Sequence, residues 1–232
     1  MIAADWRLVD DVGSDARDGA GQMQADLELL DAARAGATTL RLYTWRSPVL
    51  SLGRFQDVDA VDVAACARHG VEVVRRPSGG RALLHGADLT YAVAMPRPPG
   101  DEGRVDAVYC RLAGALIAGL ATLGVEAAIG RHEGPGGPAC FVTQQGADLR
   151  VGDRKLCGSA QVQRDGALLQ HGSILLRRLP IDETDLLVGA PSRARLRAAT
   201  VTLEELGAAS TPRVVADAVV AGFGARAGQE AR

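Results

Sequence analysis

The sequence predicts an α+β fold, a single domain with a mixed, largely antiparallel β-sheet flanked by helices. Three observations carry this. Strand-like and helix-like runs are mixed along the chain rather than alternating as regular βαβ units. Two or more pairs of strand-like runs are joined by tight-turn residues, a connection open to antiparallel neighbours. Apolar residues make up 47% of the 232, enough to bury a full core, and with aromatics at 3% the packing falls to Leu, Val and Ala.

The elements follow in order. "WRLVD" (Trp6 to Asp10) reads as a short first strand. In "GQMQADLELLDAARAG", Met23, Leu27, Leu30 and Ala33 fall at helical spacing and Gly36 is a stop. "TTLRLYTW" sets Leu40, Leu42 and Thr44 against Arg41, Tyr43 and Trp45, the period of a strand. "SPVLSLGRF" (Ser47 to Phe55) is a second strand between a Ser-Pro turn and Gly53-Arg54. "DVDAVDVAACARHG" is a short helix capped by Asp57 and Gly70. "VEVVRRP" and "DLTYAVAM" are strands on either side of a glycine-rich segment, and Asp106 to Leu123 is the longest helix. "EGPGGPAC" is a loop. From about Ala147 to Leu176 a meander turns at Val-Gly-Asp-Arg and Arg-Asp-Gly-Ala. The tail is helical over Asp182 to Leu187, Thr202 to Leu206 and Pro212 to Gly222. No linker divides the chain, so residues 1–232 are expected to form one domain.

Composition narrows the function classes. A net charge of −2 lacks the basic excess of a nucleic-acid binder. The N-terminus is acidic, without the apolar stretch of a signal peptide. The longest charge-free apolar run, "LAGALIAGLATLGV", falls short of the ~20 residues that span a bilayer. A cytoplasmic protein with neither nucleic-acid nor membrane partners is expected. Cys66, Cys110, Cys140 and Cys157 are too far apart for a CxxC metal or redox motif.

Three constellations bear on chemistry. In "RRPSGGRALLHG", Gly79 and Gly80 let backbone N–H groups approach a ligand, while Arg75 and Arg76 offer planar donors for carboxylate or phosphate oxygens. The same residues also fit a plain glycine turn with solvated arginines. The segment is neither a P-loop nor GxGxxG. His85, just after the loop, fits either a structural or a site role. In "VGDRKLCGSAQ", Lys155 lies two residues past a tight turn. It is a solvated hairpin charge, or, on an inward face, an ammonium that polarises a carbonyl or phosphoryl oxygen. Gly158, Ser159 and Ala160 are small enough for a tunnel wall. Cys66, Cys110 and Cys157 lie in helices or a strand and read as buried apolar residues. Cys140 lies in the Gly/Pro-rich loop; it is a buried loop cysteine, or a reactive thiol with Lys155 as the cation available to favour its thiolate.

Together these segments resemble the lipoate–protein ligase A/octanoyltransferase/biotin ligase superfamily over about Trp6 to Val188. "RRPSGGRALLHGADLTYAV" is similar to its arginine–glycine loop and "GDRKLCGSAQVQRDGALLQHGSILL" to its lysine hairpin. "PVLSLGRFQ" and "DGAGQMQADLELL" are similar to its N-terminal segments. The resemblance implies a class II biotin/lipoate ligase-like catalytic fold with a tunnel for an acyl chain. It implies that Lys155 contacts the acyl carbonyl oxygen. Arg75, Arg76, Ser78, Gly79, Gly80, His85, Gly158, Ser159, Ala160 and His171 are then the substrate-binding residues. "PACF" (Pro138 to Phe141) resembles the segment holding the nucleophilic cysteine of the ligase-like octanoyl-[acyl carrier protein]:protein N-octanoyltransferases, which makes Cys140 the nucleophile. The following "VTQQGADLRV" departs from the family pattern, in which an aromatic residue enters the strand.

The implied activity is transfer of octanoyl from acyl carrier protein, through a Cys140 thioester, to a lysine of a lipoyl-domain protein: glycine cleavage H protein or a 2-oxoacid dehydrogenase E2 subunit. No cofactor or metal is expected, and no C-terminal accessory domain. The alternatives are an ATP- and Mg-dependent lipoate–protein ligase working through an acyl-adenylate, and a non-catalytic acyl-binding protein.

Overall fold

The computed structural model describes residues 6–13, 17–97, 105–130 and 148–230, with backbone only for 105–106 and 225–230. The strands are β1 (Arg7–Asp11), β2 (Thr39–Tyr43), β3 (Val49–Leu52), β4 (Glu72–Arg75), β5 (Leu83–His85), β6 (Asp88–Pro96), β7 (Ala128–Ile129), β8 (Leu149–Val151), β9 (Arg154–Arg164) and β10 (Ala167–Leu175). The helices are α1 (Gly19–Arg34), α2 (Val63–Arg68), α3 (Val105–Ala121), α4 (Arg193–Ala199) and α5 (Pro212–Glu230).

Two sheets form among the described residues. The larger has the order β1-β2-β6-β10-β9-β8-β7 and the smaller β4-β3-β5. Only β1 with β2 and β3 with β4 run parallel; the other pairs are antiparallel. The mixed, largely antiparallel α+β class is the observed one. The meander turns are where the sequence puts them. Gly152 takes φ +59, while Asp165 and Gly166 take φ +51 and +79, the doubly left-handed pair that a two-residue hairpin needs.

Strand β6 is the central spine, and its alternation builds two layers. Leu89, Tyr91, Val93 and Met95 join the main core with α3 and α5. Ala92 and Ala94 face the second core with Met23, Leu30 and Ala33 of α1. Helices α3 and α5 cross closely because they meet at glycines: a Cβ on Gly222 would lie 2.2 Å from Ala115 O and 2.5 Å from Gly119 N. A third core, under α2, packs the small sheet.

The structure redraws several elements. The helix read over Asp57 to Gly70 is a 3-10 turn (Val58–Ala60) capped by Asp57, followed by α2 with Asp62 as its own cap. Helix α5, at 19 residues, exceeds α3 at 17. Helix α4 and the short strands β5 and β7 have no counterpart in the sequence reading, being too short to show a period. On α1 it is Gln22 and Asp26, both 0% exposed, that point inward along with Met23 and Leu30; Leu27 is only partly buried. Cys66 and Cys157 are buried as read, whereas Cys110 is exposed. Among the described residues no helix is long and apolar enough to cross a membrane.

Candidate active site

A cavity of about 220 Å³ opens where the two sheets meet. Met23, Tyr43, Trp45, Leu83 and Tyr109 contribute apolar wall, and the polar lining gathers most of the residues singled out in the sequence. Lys155, Arg76, Gly79, Gly80, His85, Gly158, Ser159, Ala160 and His171 all line it. Arg75 and Ser78 do not. Cys140 and the "PACF" segment lie outside the described residues.

Lys155 is no solvated hairpin charge. It is 1% exposed, and its Nζ is 2.7 Å from Asp148 Oδ2, itself on the cavity wall. Asp148 Oδ1 also accepts the backbone N–H of Ser159 at 3.1 Å, so one carboxylate aligns the ammonium and strand β9 together. A cation fixed in a water-poor wall can stabilise negative charge that develops on a bound carbonyl far better than a solvated one.

The loop between β4 and β5 is built by Arg76, which is 7% exposed. Its guanidinium donates to the carbonyls of Ser51 (3.0 Å), Gly79 (2.9 Å) and Arg81 (2.7 Å), so the glycine backbone wraps round a buried cation. Gly80 takes φ +93, and a Cβ there would lie 2.7 Å from the Arg76 guanidinium, so both its backbone and its neighbour demand glycine. Gly53 packs so closely that a Cβ would sit 1.9 Å from Gly80 O. Arg75 points elsewhere: it donates to the carbonyls of Gly53, Arg54 and Gln56, so it shapes the neighbouring turn. Neighbouring side chains along a strand point to opposite faces, and of the two arginines Arg76 lines the cavity.

Two histidines sit in matching chains. His85 Nε2 is 2.9 Å from Ser51 Oγ and its Nδ1 is 2.9 Å from Asp88 Oδ2, with the ring stacked on Trp45 at 4.1 Å between centroids. His171 Nε2 is 2.5 Å from Ser78 Oγ and its Nδ1 is 2.9 Å from Asp26 Oδ2. Ser78 is thus fully buried and tethers the loop to His171 rather than lining the cavity. Burial alone would raise the pKa of Asp88. The nearby His85 and hydrogen bonds from His85, Ser173 and the Gly86 N–H outweigh it and hold the carboxyl below its usual value. Asp26 belongs to a buried network in which Arg41 bridges it, at 2.9 Å, to Asp11, at 2.8 Å. The Tyr43 hydroxyl, raised well above its usual pKa by burial and then by Asp26, completes it.

Strand β10 supplies the floor. A Cβ on Gly172 would meet Tyr91 Cε1 at 2.5 Å and Gly158 O at 2.6 Å, so the Tyr91 ring and the neighbouring strand take the space a side chain would need. The sequence reading missed Asp148, Ser51, Asp88, Asp26 and Trp45. Of these only Asp88 carried a local signal, three residues after His85.

The family described as the lipoyl protein ligase A/B catalytic domain matches residues 18–223. The octanoyltransferase LipM of Carboxydothermus hydrogenoformans is 42% identical over 178 residues, covering 74% of this chain and 65% of that protein. The octanoyltransferase LipM of Symbiobacterium thermophilum is 38% identical over 245 residues, covering 96% and 86%. Among solved structures, a lipoate-protein ligase A with bound ATP superposes with a TM-score of 0.78 at 22% identity, covering 96% of this chain and 85% of its own. A bi-partite lipoate protein ligase from Thermoplasma acidophilum gives 0.72 at 21%, covering 96% and 84%. These two likenesses are of fold. With its loop, lysine wall and sheet order in place, the chain belongs to the lipoyl protein ligase A/B catalytic domain family.

Proposed function

We propose that the chain is an octanoyltransferase of lipoate biosynthesis. It takes the acyl group from the phosphopantetheine thioester of acyl carrier protein and passes it, through a thioester on Cys140, to a lysine of a lipoyl-domain protein. The observation that carries this reading is the buried Lys155 ammonium, held by Asp148 on the wall of a cavity bordered by bare glycine backbone. The relatives named octanoyltransferase LipM support it.

In the first step the Cys140 sulfur attacks the thioester carbonyl and the pantetheine thiol leaves with a proton. In the second the acceptor amine attacks the Cys140 thioester, loses a proton and releases the thiol. Each passes through an oxyanion, toward which the Lys155 ammonium donates. Two half-reactions suit two bulky protein substrates that occupy the same cavity mouth in turn.

Intact-protein mass after mixing with octanoyl acyl carrier protein, without nucleotide, tests it. The wild type gains one octanoyl mass that hydroxylamine removes, and Cys140→Ala gains none. An adduct that needs ATP, or that survives in Cys140→Ala, overturns the reading in favour of acyl-adenylate chemistry.

A further inference from the structure

The chain from Ser51 to Asp88 has a connectivity that the transfer reaction does not call on. Ser51 is among the residues that line the cavity, and its hydroxyl has two acceptors within reach, His85 Nε2 at 2.9 Å and Leu83 O at 3.5 Å; the nearer is the imidazole. Asp88 Oδ2 lies 2.9 Å from His85 Nδ1, so Nδ1 is the ring's donor to the carboxylate, and in the neutral ring Nε2 is then the acceptor. Trp45 stacks flat on the ring, and its Nε1 donates to Thr90 Oγ1, which donates in turn to Asp88 Oδ2. On its other side the Ser51 oxygen accepts from Arg76 at 3.2 Å. A hydroxyl that donates to an oriented imidazole has what an activated nucleophile needs: a base for its proton and an orienting carboxylate for that base. The second chain lacks this access, since Ser78 does not reach the cavity.

We propose that Ser51, with His85 and Asp88, is a second nucleophilic centre of this cavity that hydrolyses medium-chain acyl esters and thioesters. Only the choice of acyl chain rests on the proposed transferase reading. Ser51 Oγ bonds to the acyl carbon while its proton passes to His85 Nε2. The bond from the acyl carbon to the leaving oxygen or sulfur breaks, and that atom takes the proton from His85. Water then attacks the seryl ester, gives one proton to His85, and the ester bond breaks as Ser51 takes that proton back. The net change is acyl ester plus water to carboxylic acid plus alcohol, or thiol for a thioester.

The test uses the full chain, as wild type and as Cys140→Ala. Each is incubated with an octyl fluorophosphonate, and the modified peptide is mapped by mass spectrometry. Release of p-nitrophenolate from p-nitrophenyl octanoate is followed in parallel. The expected result is one phosphonyl adduct on the peptide bearing Ser51 in both proteins, with steady ester turnover in Cys140→Ala that falls at least tenfold in Ser51→Ala and in His85→Gln. Absence of an adduct at Ser51, or an adduct that maps elsewhere, overturns the proposal whether or not those two variants fold. Turnover unchanged by Ser51→Ala overturns it as well. Because both readouts are also taken in Cys140→Ala, they are separate from the octanoyl-thioester assay, and either reading can fail while the other stands.

Discussion

Replacing Lys155 by methionine tests the central geometric feature of the site. The methionine keeps an unbranched apolar stem of nearly the same length and removes the ammonium, its charge and its donors together. In the structure the ammonium is 1% exposed and 2.7 Å from a carboxylate whose side chain is 3% exposed. A solvated hairpin lysine would be worth less than ~0.5 kcal/mol. A buried pair behaves otherwise: removing one member strands the other charge, at a cost of roughly 3–5 kcal/mol. For a chain of this size each kcal/mol moves Tm by about 2–4 °C, so Lys155→Met should melt about 6–20 °C below wild type. Asp148→Asn should lose a similar amount. The double variant should recover much of it, since a neutral pair of similar volume leaves no stranded charge. Calorimetry of the four proteins gives the coupling directly. Octanoyl transfer at a temperature where every variant is folded gives the chemical part, a loss of about 10²–10³ for one oxyanion donor. A Lys155→Met protein that melts with the wild type, or a double variant whose loss is the sum of the two single ones, would refute the buried pair.

Two further outcomes follow from packing and burial. A Cβ at Gly53 would lie 1.9 Å from Gly80 O, whereas Gly79 has nothing within 4 Å. Gly53→Ala should therefore cost about 1–3 kcal/mol and displace the loop, while Gly79→Ala stays within ~0.5 kcal/mol; denaturant melts rank them, and equal effects would contradict the packing. Glu183 is 6% exposed, accepts the Leu84 N–H, and is pushed by burial up to about 7 from an ordinary 4.5. The folded chain then holds the proton more tightly than the unfolded one. Stability should fall as pH rises from about 4.5 to 7, with roughly 3 kcal/mol lost above that window. Glu183→Gln should remove that slope, and urea melts of both proteins at pH 5 and 8 would show no change in their difference if the carboxyl ionises normally.

What was legible in the sequence is what is local. The two hairpin turns could be read because Gly152, Asp165 and Gly166 announce their own left-handed backbone. Helix α1 could be read from its spacing, but not the identity of its inner face, because Asp26 and Gln22 are buried to receive Arg41 from β2, fifteen or more residues away. The same limit hid Asp148. Nothing in "GADLRV" says that its aspartate will close on a lysine across a β8–β9 hairpin whose register slips between Leu149 and Arg150. The paired arginines looked equivalent, and only the alternation of β4 gives one to the cavity and the other to the turn at residues 53–56.

The polar residues that could not be read are the ones that give the readable loop its shape. Glycines permit a backbone to approach a ligand, but they do not hold it there, and free glycines carry the largest entropy to lose on ordering. In this chain the cost is met from below. Arg76 ties three carbonyls, Ser78 is anchored through His171 to Asp26, and Gly53 abuts Gly80 without side chains between them. Asp26 in turn is fixed by Arg41, which Asp11 also holds, so a continuous buried polar line runs from β1 through β2, α1 and β10 to the glycine loop. Such a line contributes little net stability, since each charge was better solvated in water. Its return is a single loop geometry, set before any acyl group arrives, which is what a site acting through oriented donors requires.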